Sequence, residues 1–234
     1  MENKDKIILD LCGGTGSWSR PYKEAGLKMN GQKKEKSMKP ILFNTEMVKA
    51  ILDGRKTVTR RLVKLIGNPA WTGYSPDGAV LYGSNNIPAA KAPYRPGDIL
   101  WVRETWAVWS ATNGIAPRIY YKADKDAPVS IRWRPSIHMP REAARLFLMV
   151  TGVRVERLQD ITPNDCVLEG VEREALTTVG GEFARGIFND VWDSTIKPAD
   201  LPRYGWEANP WVWVIEFERV SRSDAAQGGG GDGN

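Results

Sequence analysis

One segment of eight residues, Gly54-Arg55-Lys56-Thr57-Val58-Thr59-Arg60-Arg61, constrains the fold of this chain more than any other. It combines four cations with two threonine hydroxyls, a mixture that is unusual for a purely structural strand. The β-branched threonines stand at alternate positions, which favours an extended strand. Since alternate residues of a strand share a face, the pattern predicts two sets: Thr57, Thr59 and Arg61 on one side, and Lys56, Val58 and Arg60 on the other.

The residues before this segment predict a short helix. Asn44 or Thr45 can cap its start, and apolar residues recur at helical spacing from Met47 onward. Gly54 can adopt the left-handed conformation that commonly ends a helix. We therefore expect a helix, a glycine turn and a strand in immediate succession.

Four motifs along the chain carry a family resemblance. Within the basic segment, Gly54, Lys56, Thr59 and Arg61 reproduce the pattern G-x-K-x-x-T-x-R. The other three motifs are Pro96-Gly97-Asp98-Ile99-Leu100-Trp101-Val102-Arg103-Glu104, then Leu158-Gln159-Asp160-Ile161-Thr162 leading to Glu169-Gly170, and last Asn209-Pro210-Trp211-Val212-Trp213-Val214-Ile215-Glu216-Phe217. With these motifs in this order, the chain from Met38 to about Val220 resembles the ASCH domain proteins carried by phages and prophages.

The resemblance implies an α+β fold, namely a small β-barrel of the PUA-like kind with flanking helices, related to RNA-binding modules. Some small bacterial members resemble amidohydrolases that remove the acetyl group from acetylcytidine with a lysine, a threonine and a glutamate. By position these catalytic residues fall on Lys56, Thr59 and Glu169, with Arg61 as an accompanying contact to an anion or a base. The other residues predicted to contact a substrate or RNA are Arg60, Gly54, Arg103 and Trp133.

The function predicted first is the binding of RNA or a modified nucleoside in a cationic cleft of the barrel. Three alternatives stay open: an amidohydrolase acting on an acylated nucleobase such as acetylcytidine, a ribonuclease, and a protein-interaction module of phages. In the amidohydrolase, Thr59 would attack the acyl carbon, Lys56 would act as a base with a pKa lowered by burial, and Glu169 would orient the lysine. Without catalysis, the cations of the segment would form a solvated or RNA-facing surface that Glu169 neutralises.

Composition limits the remaining classes of function. The chain has 234 residues, of which 41% are hydrophobic and 26% charged, as is usual for a globular protein. No apolar run approaches the roughly 20 residues of a membrane span, and no signal-peptide core follows the N-terminus, so we expect a cytoplasmic protein without a membrane partner. Cys12, Cys166 and His138 are the only cysteines and histidine and lack the spacing of zinc ligands. Neither a metal site nor another cofactor is predicted.

The formal charge of +5 is unevenly distributed along the chain. Residues 1–37 hold 8 Lys or Arg against 5 Asp or Glu, a net charge of +3, which leaves +2 for the rest. A nucleic-acid surface must therefore be a local basic patch. Trp71, Trp133 and Trp206 lie in Pro- and Gly-rich surroundings and are the residues predicted to stack on bases.

The first 37 residues contain a different signal. Residues 8–16, with the sequence Ile-Leu-Asp-Leu-Cys-Gly-Gly-Thr-Gly, resemble the first motif of S-adenosylmethionine-dependent methyltransferases in the form found in phage DNA methylases. Such a cofactor site needs several further strands of parallel sheet, which the following residues do not predict. We therefore interpret 1–37 as a methyltransferase-like remnant and linker that does not bind S-adenosylmethionine, 38–220 as the ASCH domain with insertions, and 221–234 as a disordered tail.

Local patterns predict the other elements. Strands are expected at 98–104, 146–158 and 211–217, together with a hairpin that pairs 106–109 with 118–122. Helices are expected from a Thr162 cap to Glu169 and over 183–196, the latter with one apolar face formed by Phe183, Ile187, Val191 and Trp192. Residues 64–97 are rich in Gly, Pro, Asn and Ser, so we expect a long loop there with one short strand at 79–82.

Overall fold

The structure is a computed structural model that describes residues 38–64, 71–74, 80–83, 88–109, 117–176 and 181–227. The methyltransferase-like segment 1–37, the turn of the predicted hairpin and the end of the tail lie outside the described residues. Among the helices that are described, none is long and apolar enough to cross a membrane. The fold is of the predicted α+β class and is built around one sheet of five strands.

The described strands and helices follow in this order along the chain. The strands are β1 (Lys39–Leu42), β2 (Val58–Leu62), β3 (Trp71–Tyr74), β4 (Val80–Gly83), β5 (Pro88–Lys91), β6 (Ile99–Arg103), β7 (Trp106–Trp109), β8 (Arg118–Tyr121), β9 (Phe147–Arg157) and β10 (Trp211–Val220). The helices are α1 (Thr45–Leu52), α2 (Pro163–Leu168), α3 (Glu182–Ser194), α4 (Leu201–Tyr204) and α5 (Arg222–Gln227). The strands predicted at 98–104, 146–158 and 211–217 are confirmed as β6, β9 and β10, and the predicted hairpin is confirmed as the antiparallel pair β7–β8.

The five strands of the main sheet have the spatial order β1-β6-β9-β10-β2. β1 lies parallel to β6, whereas the other neighbours are antiparallel. The longest pair is β9–β10, and its register shifts between Glu216 and Phe217, where a bulge adds local twist. β1 and β2 therefore form the two edges of the sheet.

Both faces of the main sheet are buried. In β10, Trp213 and Ile215 pack into a first core with residues of β1 and β9 such as Ile41 and Leu148. Val212 and Val214, which point to the other side, pack into a second core formed with Leu158, Ile161, Phe188 and Trp192. Because successive side chains of a strand alternate between faces, one strand supplies both cores.

The register of β2 on β10 divides the basic segment between the same two cores. Thr59 lies opposite Ile215 and therefore on the side of the first core, whereas Arg60 lies opposite Val214 on the side of the second. Arg61 returns to the first side, opposite Trp213. The alternation predicted for Thr59, Arg60 and Arg61 is confirmed.

The prediction of a long loop over 64–97 is wrong in part. This region contains β3, β4 and β5, which form a separate antiparallel sheet of three strands. Only the strand at 79–82 was expected, and it corresponds to β4. Strands of four residues are too short for an alternating pattern to stand out against a composition dominated by turn-forming residues.

The predicted apolar face of the second long helix is also partly wrong. Helix α3 buries Ala184, Phe188 and Trp192, which follow one another at intervals of four residues. Phe183 and Val191, expected on the buried face, remain 53% and 37% exposed. The helix carries more apolar residues than the second core can cover, and part of this surplus faces a cleft.

The tail predicted to be disordered from residue 221 begins with a helix. In α5, Ala225 is buried and packs into a third core with Ile99, Trp106 and Phe147. Ser221 caps the helix, since its hydroxyl accepts a hydrogen bond from the Asp224 backbone N–H at 3.1 Å. The polar and glycine-rich composition of 221–234 did not indicate this short helix. Residues 228–234 lie outside the described part of the chain.

Candidate functional site

The basic segment starts where helix α1 ends. Asn44 caps the helix by accepting a hydrogen bond from the Met47 backbone N–H at 2.8 Å. Gly54 follows the last turn with φ of +76°, the left-handed conformation that glycine adopts without strain. The chain thereby reverses and leads directly into β2, as the sequence predicts.

Three consecutive donors at this turn meet three consecutive carbonyl oxygens at the end of helix α2. The pairs are Arg55 Nη1 with Gly170 at 2.8 Å, Lys56 Nζ with Glu169 at 2.7 Å, and the Thr57 backbone N–H with Leu168 at 2.9 Å. The last carbonyls of a helix lack partners within the helix, so these contacts satisfy them. They also fix the position of Glu169 relative to β2.

The approach of α2 depends on a glycine at position 170. Gly170 has φ of +107°, and a Cβ added there would lie 3.0 Å from the Cβ of Ala50 and 3.5 Å from that of Lys56. A side chain would therefore meet both a strained backbone conformation and crowded neighbours. This close packing brings Glu169 to the lysine although the two residues are far apart in sequence.

Lys56 and Glu169 form a buried ion pair, which confirms the contact that the resemblance predicts. The Lys56 Nζ lies 2.6 Å from Glu169 Oε2, and the two side chains are 0% and 5% exposed. The ammonium also donates to the carbonyl oxygens of Val58 at 2.8 Å and Glu169 at 2.7 Å, so all three of its hydrogens have acceptors. Burial lowers the pKa of Lys56, and the negative charge of Glu169 opposes that effect.

Arg60 contacts the other oxygen of the same carboxylate. Its Nη1 lies 3.2 Å from Glu169 Oε1, while Nη2 lies 3.5 Å from Glu156 and 3.7 Å from Asp165. Arg60 is 2% exposed, as Lys56 is. The alternative in which Lys56 and Arg60 belong to a solvated or RNA-facing surface is therefore wrong, because both cations are withdrawn from solvent and paired.

Thr59 and Arg61 face the opposite side of the strand. Thr59 is 1% exposed, and its hydroxyl donates no hydrogen bond to any residue that the structure describes. The guanidinium of Arg61 lies 5.3 Å from the ring centre of Phe43 and donates to the carbonyl oxygens of Arg60 at 3.2 Å and Leu42 at 3.0 Å. Arg61 thus connects β2 to β1, the two edges of the main sheet.

These residues border a cleft of about 1160 Å³. Thr59, Arg60, Arg61 and Glu169 line it, whereas Lys56 does not. Two groups of apolar side chains contribute to the lining, one from α3 and one from β1 with the start of α1. The α3 group consists of Ile187, Phe188, Val191 and Trp192, and the other group includes Ile41, Leu42, Phe43 and Met47.

The free edge of β2 borders this cleft. Val63 donates to the carbonyl of Trp211 at 2.9 Å, and Phe217 donates to the carbonyl of Thr57 at 2.9 Å. In an antiparallel pair the backbone groups of alternate residues point to the partner strand, so those of Arg60 and Leu62 point away from β10. Both residues line the cleft. The Arg60 carbonyl accepts from Arg61 at 3.2 Å, so within the described part of the chain the backbone groups left unpaired along this side are the N–H groups of Arg60 and Leu62 and the Leu62 carbonyl.

The other predicted contact residues do not line this cleft. Gly54 forms the turn before β2. Arg103 donates a hydrogen bond to the Ile137 carbonyl and lies 5.4 Å from the ring centre of Trp101. Trp133 is half-buried in an irregular segment between β8 and β9. The geometry therefore brings together Lys56, Thr59, Arg60, Arg61 and Glu169 and leaves these three residues apart.

Trp206, predicted to stack on bases, is half-buried and packs against the second core. Its ring centre lies 6.2 Å from that of Phe188 in an edge-to-face arrangement, and Arg185 covers it at 5.7 Å. For Trp71 the structure describes the backbone strand only, and the side chain is not among the described ones. Trp206 thus packs against the second core. Its Pro- and Gly-rich surroundings in the sequence did not indicate this packing.

Cys166 lies near this site but is not a candidate nucleophile. Its side chain is buried, and burial raises the pKa of the thiol to about 12. Since the thiolate is the reactive form, Cys166 stays unreactive at neutral pH. In the described part of the chain, no three His, Cys, Asp or Glu side chains are grouped so that they could hold a metal ion.

The partners of Arg60 and the two apolar groups of the cleft lining are the features that sequence reasoning missed. Glu156 and Asp165 belong to separate elements, β9 and α2, and only the fold brings them to Arg60. Comparison of the chain with protein-family models, curated proteins and solved structures gives no match. The resemblance to ASCH domains therefore stays a prediction that rests on the four motifs.

Proposed function

We propose that this cleft binds RNA or a modified nucleoside, and that the domain is an ASCH domain of the PUA-like kind. One observation carries the proposal: the edge of β2, with the Thr59 hydroxyl and the Arg61 guanidinium, lines the same cleft as apolar side chains of α3, β1 and α1. A nucleobase has apolar faces and a polar edge, and binding sites for such ligands combine apolar walls with a few fixed polar groups.

The buried ions give this site its rigidity. Lys56 and Arg60 each hold one oxygen of Glu169, so the strand and the helix that carry the cleft residues are joined beneath its surface. A pre-organised polar edge loses little entropy when a ligand binds. The Arg61 contact with Leu42 links the two edges of the main sheet, which supports a curved, barrel-like sheet.

Titration with cytidine, acetylcytidine and short single-stranded RNA tests the proposal, with Thr59→Val as the decisive variant. Valine keeps the shape of the buried threonine and removes only the hydroxyl, so the fold should persist. We expect the affinity to fall roughly two- to tenfold, because one hydrogen bond to the ligand is lost. Thr57→Val, two residues earlier and outside the cleft lining, is the matched control. An absence of binding by all three ligands would refute the proposal.

A second candidate function is amide hydrolysis on an acylated nucleobase. Three observations favour it: the lowered pKa of Lys56, its 2.6 Å contact with Glu169, and the free hydroxyl of Thr59 in the cleft. The Thr59 oxygen would attack the acyl carbon while Arg61 stabilises the oxyanion. Lys56 does not line the cleft, so the Thr59 proton would reach the neutral Lys56 amine through Glu169, which lines the cleft and contacts the lysine. Proton return to the departing base amine and hydrolysis of the acyl-threonine by water would complete the cycle.

Release of acetate from acetylcytidine measures this second activity. A base must be unprotonated to act, so the rate should rise with pH through the lowered pKa of Lys56, below the ordinary value of 10.5. Thr59→Val should abolish the release, whereas Thr57→Val should not change it. Acetate release that is independent of pH, or that survives Thr59→Val, would exclude this mechanism.

A further inference from the structure

The charged groups that line the cleft are not balanced. Its described lining contains three carboxylates, Glu46, Glu169 and Glu172, and each has a cation partner. Glu46 pairs with Lys49 at 3.0 Å, Glu169 with Lys56 at 2.6 Å and Arg60 at 3.2 Å, and Glu172 with Arg55 at 3.3 Å. No carboxylate of the described lining is therefore free to attract a cationic ligand.

Three cations of the same lining have no carboxylate partner among the described residues. Arg61 donates only to backbone carbonyl oxygens, and neither Lys64 nor Lys91 forms an ion pair with a residue that the structure describes. Lys64 follows the end of β2, and Lys91 ends β5, so two separate elements bring them to the cleft. Both lysines are exposed, which places their charges where the cleft meets solvent.

We propose that Lys64 and Lys91 form a phosphate subsite at the mouth of the cleft, so that its ligand is a nucleotide and not a free nucleoside. The inference rests on the proposed nucleoside-binding function. Unpaired cations beside a cleft with apolar walls produce a local positive potential that attracts anions. The cleft, at about 1160 Å³, exceeds the roughly 300–1,000 Å³ of typical small-ligand pockets, which leaves room for a phosphate beside the base and sugar.

Three ligands separate the contributions of base and phosphate. Cytidine carries no phosphate, cytidine 5′-monophosphate carries a terminal one, and tetracytidylate carries phosphodiesters. At low salt we expect the monophosphate, the oligonucleotide or both to bind roughly three- to thirtyfold more tightly than cytidine, since each exposed ion pair contributes modestly. The gain should shrink as salt is added. If the monophosphate binds more tightly than cytidine, with or without the oligonucleotide, the subsite is assigned to a terminal phosphate. If only the oligonucleotide binds more tightly than cytidine, the subsite is assigned to the RNA backbone.

The double variant Lys64→Gln/Lys91→Gln tests the assignment to these residues. It should remove the gain from phosphate and leave the affinity for cytidine unchanged. Lys122→Gln/Lys125→Gln removes the same charge from two exposed lysines outside the cleft and should leave every affinity unchanged. Equal affinities of the wild-type protein for all three ligands, or a gain that survives the Lys64/Lys91 change, would overturn the inference while nucleoside binding stands. No binding of any ligand would instead refute the proposed function itself.

Discussion

Replacing Glu169 with glutamine should lower the free energy of unfolding by about 3–5 kcal/mol, the usual cost of removing one partner from a buried ion pair. Glu169→Gln preserves the shape of the side chain but leaves the ammonium of Lys56 and the guanidinium of Arg60 without their shared carboxylate, although both are almost completely buried. For a protein of this size the melting temperature should fall by roughly 6–20 °C. Denaturant unfolding gives the free energy directly.

Glu172→Gln is the matched control for this change. Glu172 also pairs with an arginine, Arg55, at 3.3 Å, but its side chain is 66% exposed. Exposed ion pairs contribute about 0–1 kcal/mol, so this variant should unfold almost as the wild-type protein does. Similar stabilities of the Glu169→Gln and Glu172→Gln proteins would show that the buried ion group does not hold β2 to α2.

The second large effect is expected from filling the cleft. Val191 lines the cleft on α3 and is 37% exposed, so Val191→Trp would place a large ring in the cleft without disturbing the core. We expect the affinity for the best-bound nucleoside or nucleotide to fall at least about tenfold, that is, by ~1.4 kcal/mol or more. The melting temperature should stay close to that of the wild-type protein.

Phe183→Trp provides the control on the same helix. Phe183 is 53% exposed and does not line the cleft. This variant adds a tryptophan to α3 at a site where no ligand is expected, so its affinity should equal that of the wild-type protein. If Val191→Trp binds nucleotides as tightly as Phe183→Trp does, the binding site lies elsewhere on the protein.

The local elements of the site could be predicted because each is encoded in adjacent residues. The cap of α1, the turn at Gly54 and the alternation along β2 depend on neighbours in the sequence. The contact between Lys56 and Glu169 spans 113 positions and could not be obtained in this way. It was predicted only because the family resemblance assigns both residues to one site.

The remaining features could not be predicted because they depend on how distant elements pack. The burial of Arg60 follows from the position of β2 between two cores, and from the carboxylates that β9 and α2 bring to it. The exposed position of Val191 depends on which stripe of α3 meets the second core. A helical pattern with surplus apolar residues is compatible with more than one orientation, and tertiary packing selects between them.

The most direct measurement is an experimental structure of the protein with cytidine 5′-monophosphate at saturating concentration. The proposed function places the base in the cleft beside β2, with its polar edge against Thr59 and the free edge of β2. The proposed subsite places the phosphate within salt-bridge distance, about 4 Å, of Lys64 or Lys91. A nucleotide bound at another surface, such as the β7–β8 hairpin, or an empty cleft at saturation, would contradict both proposals.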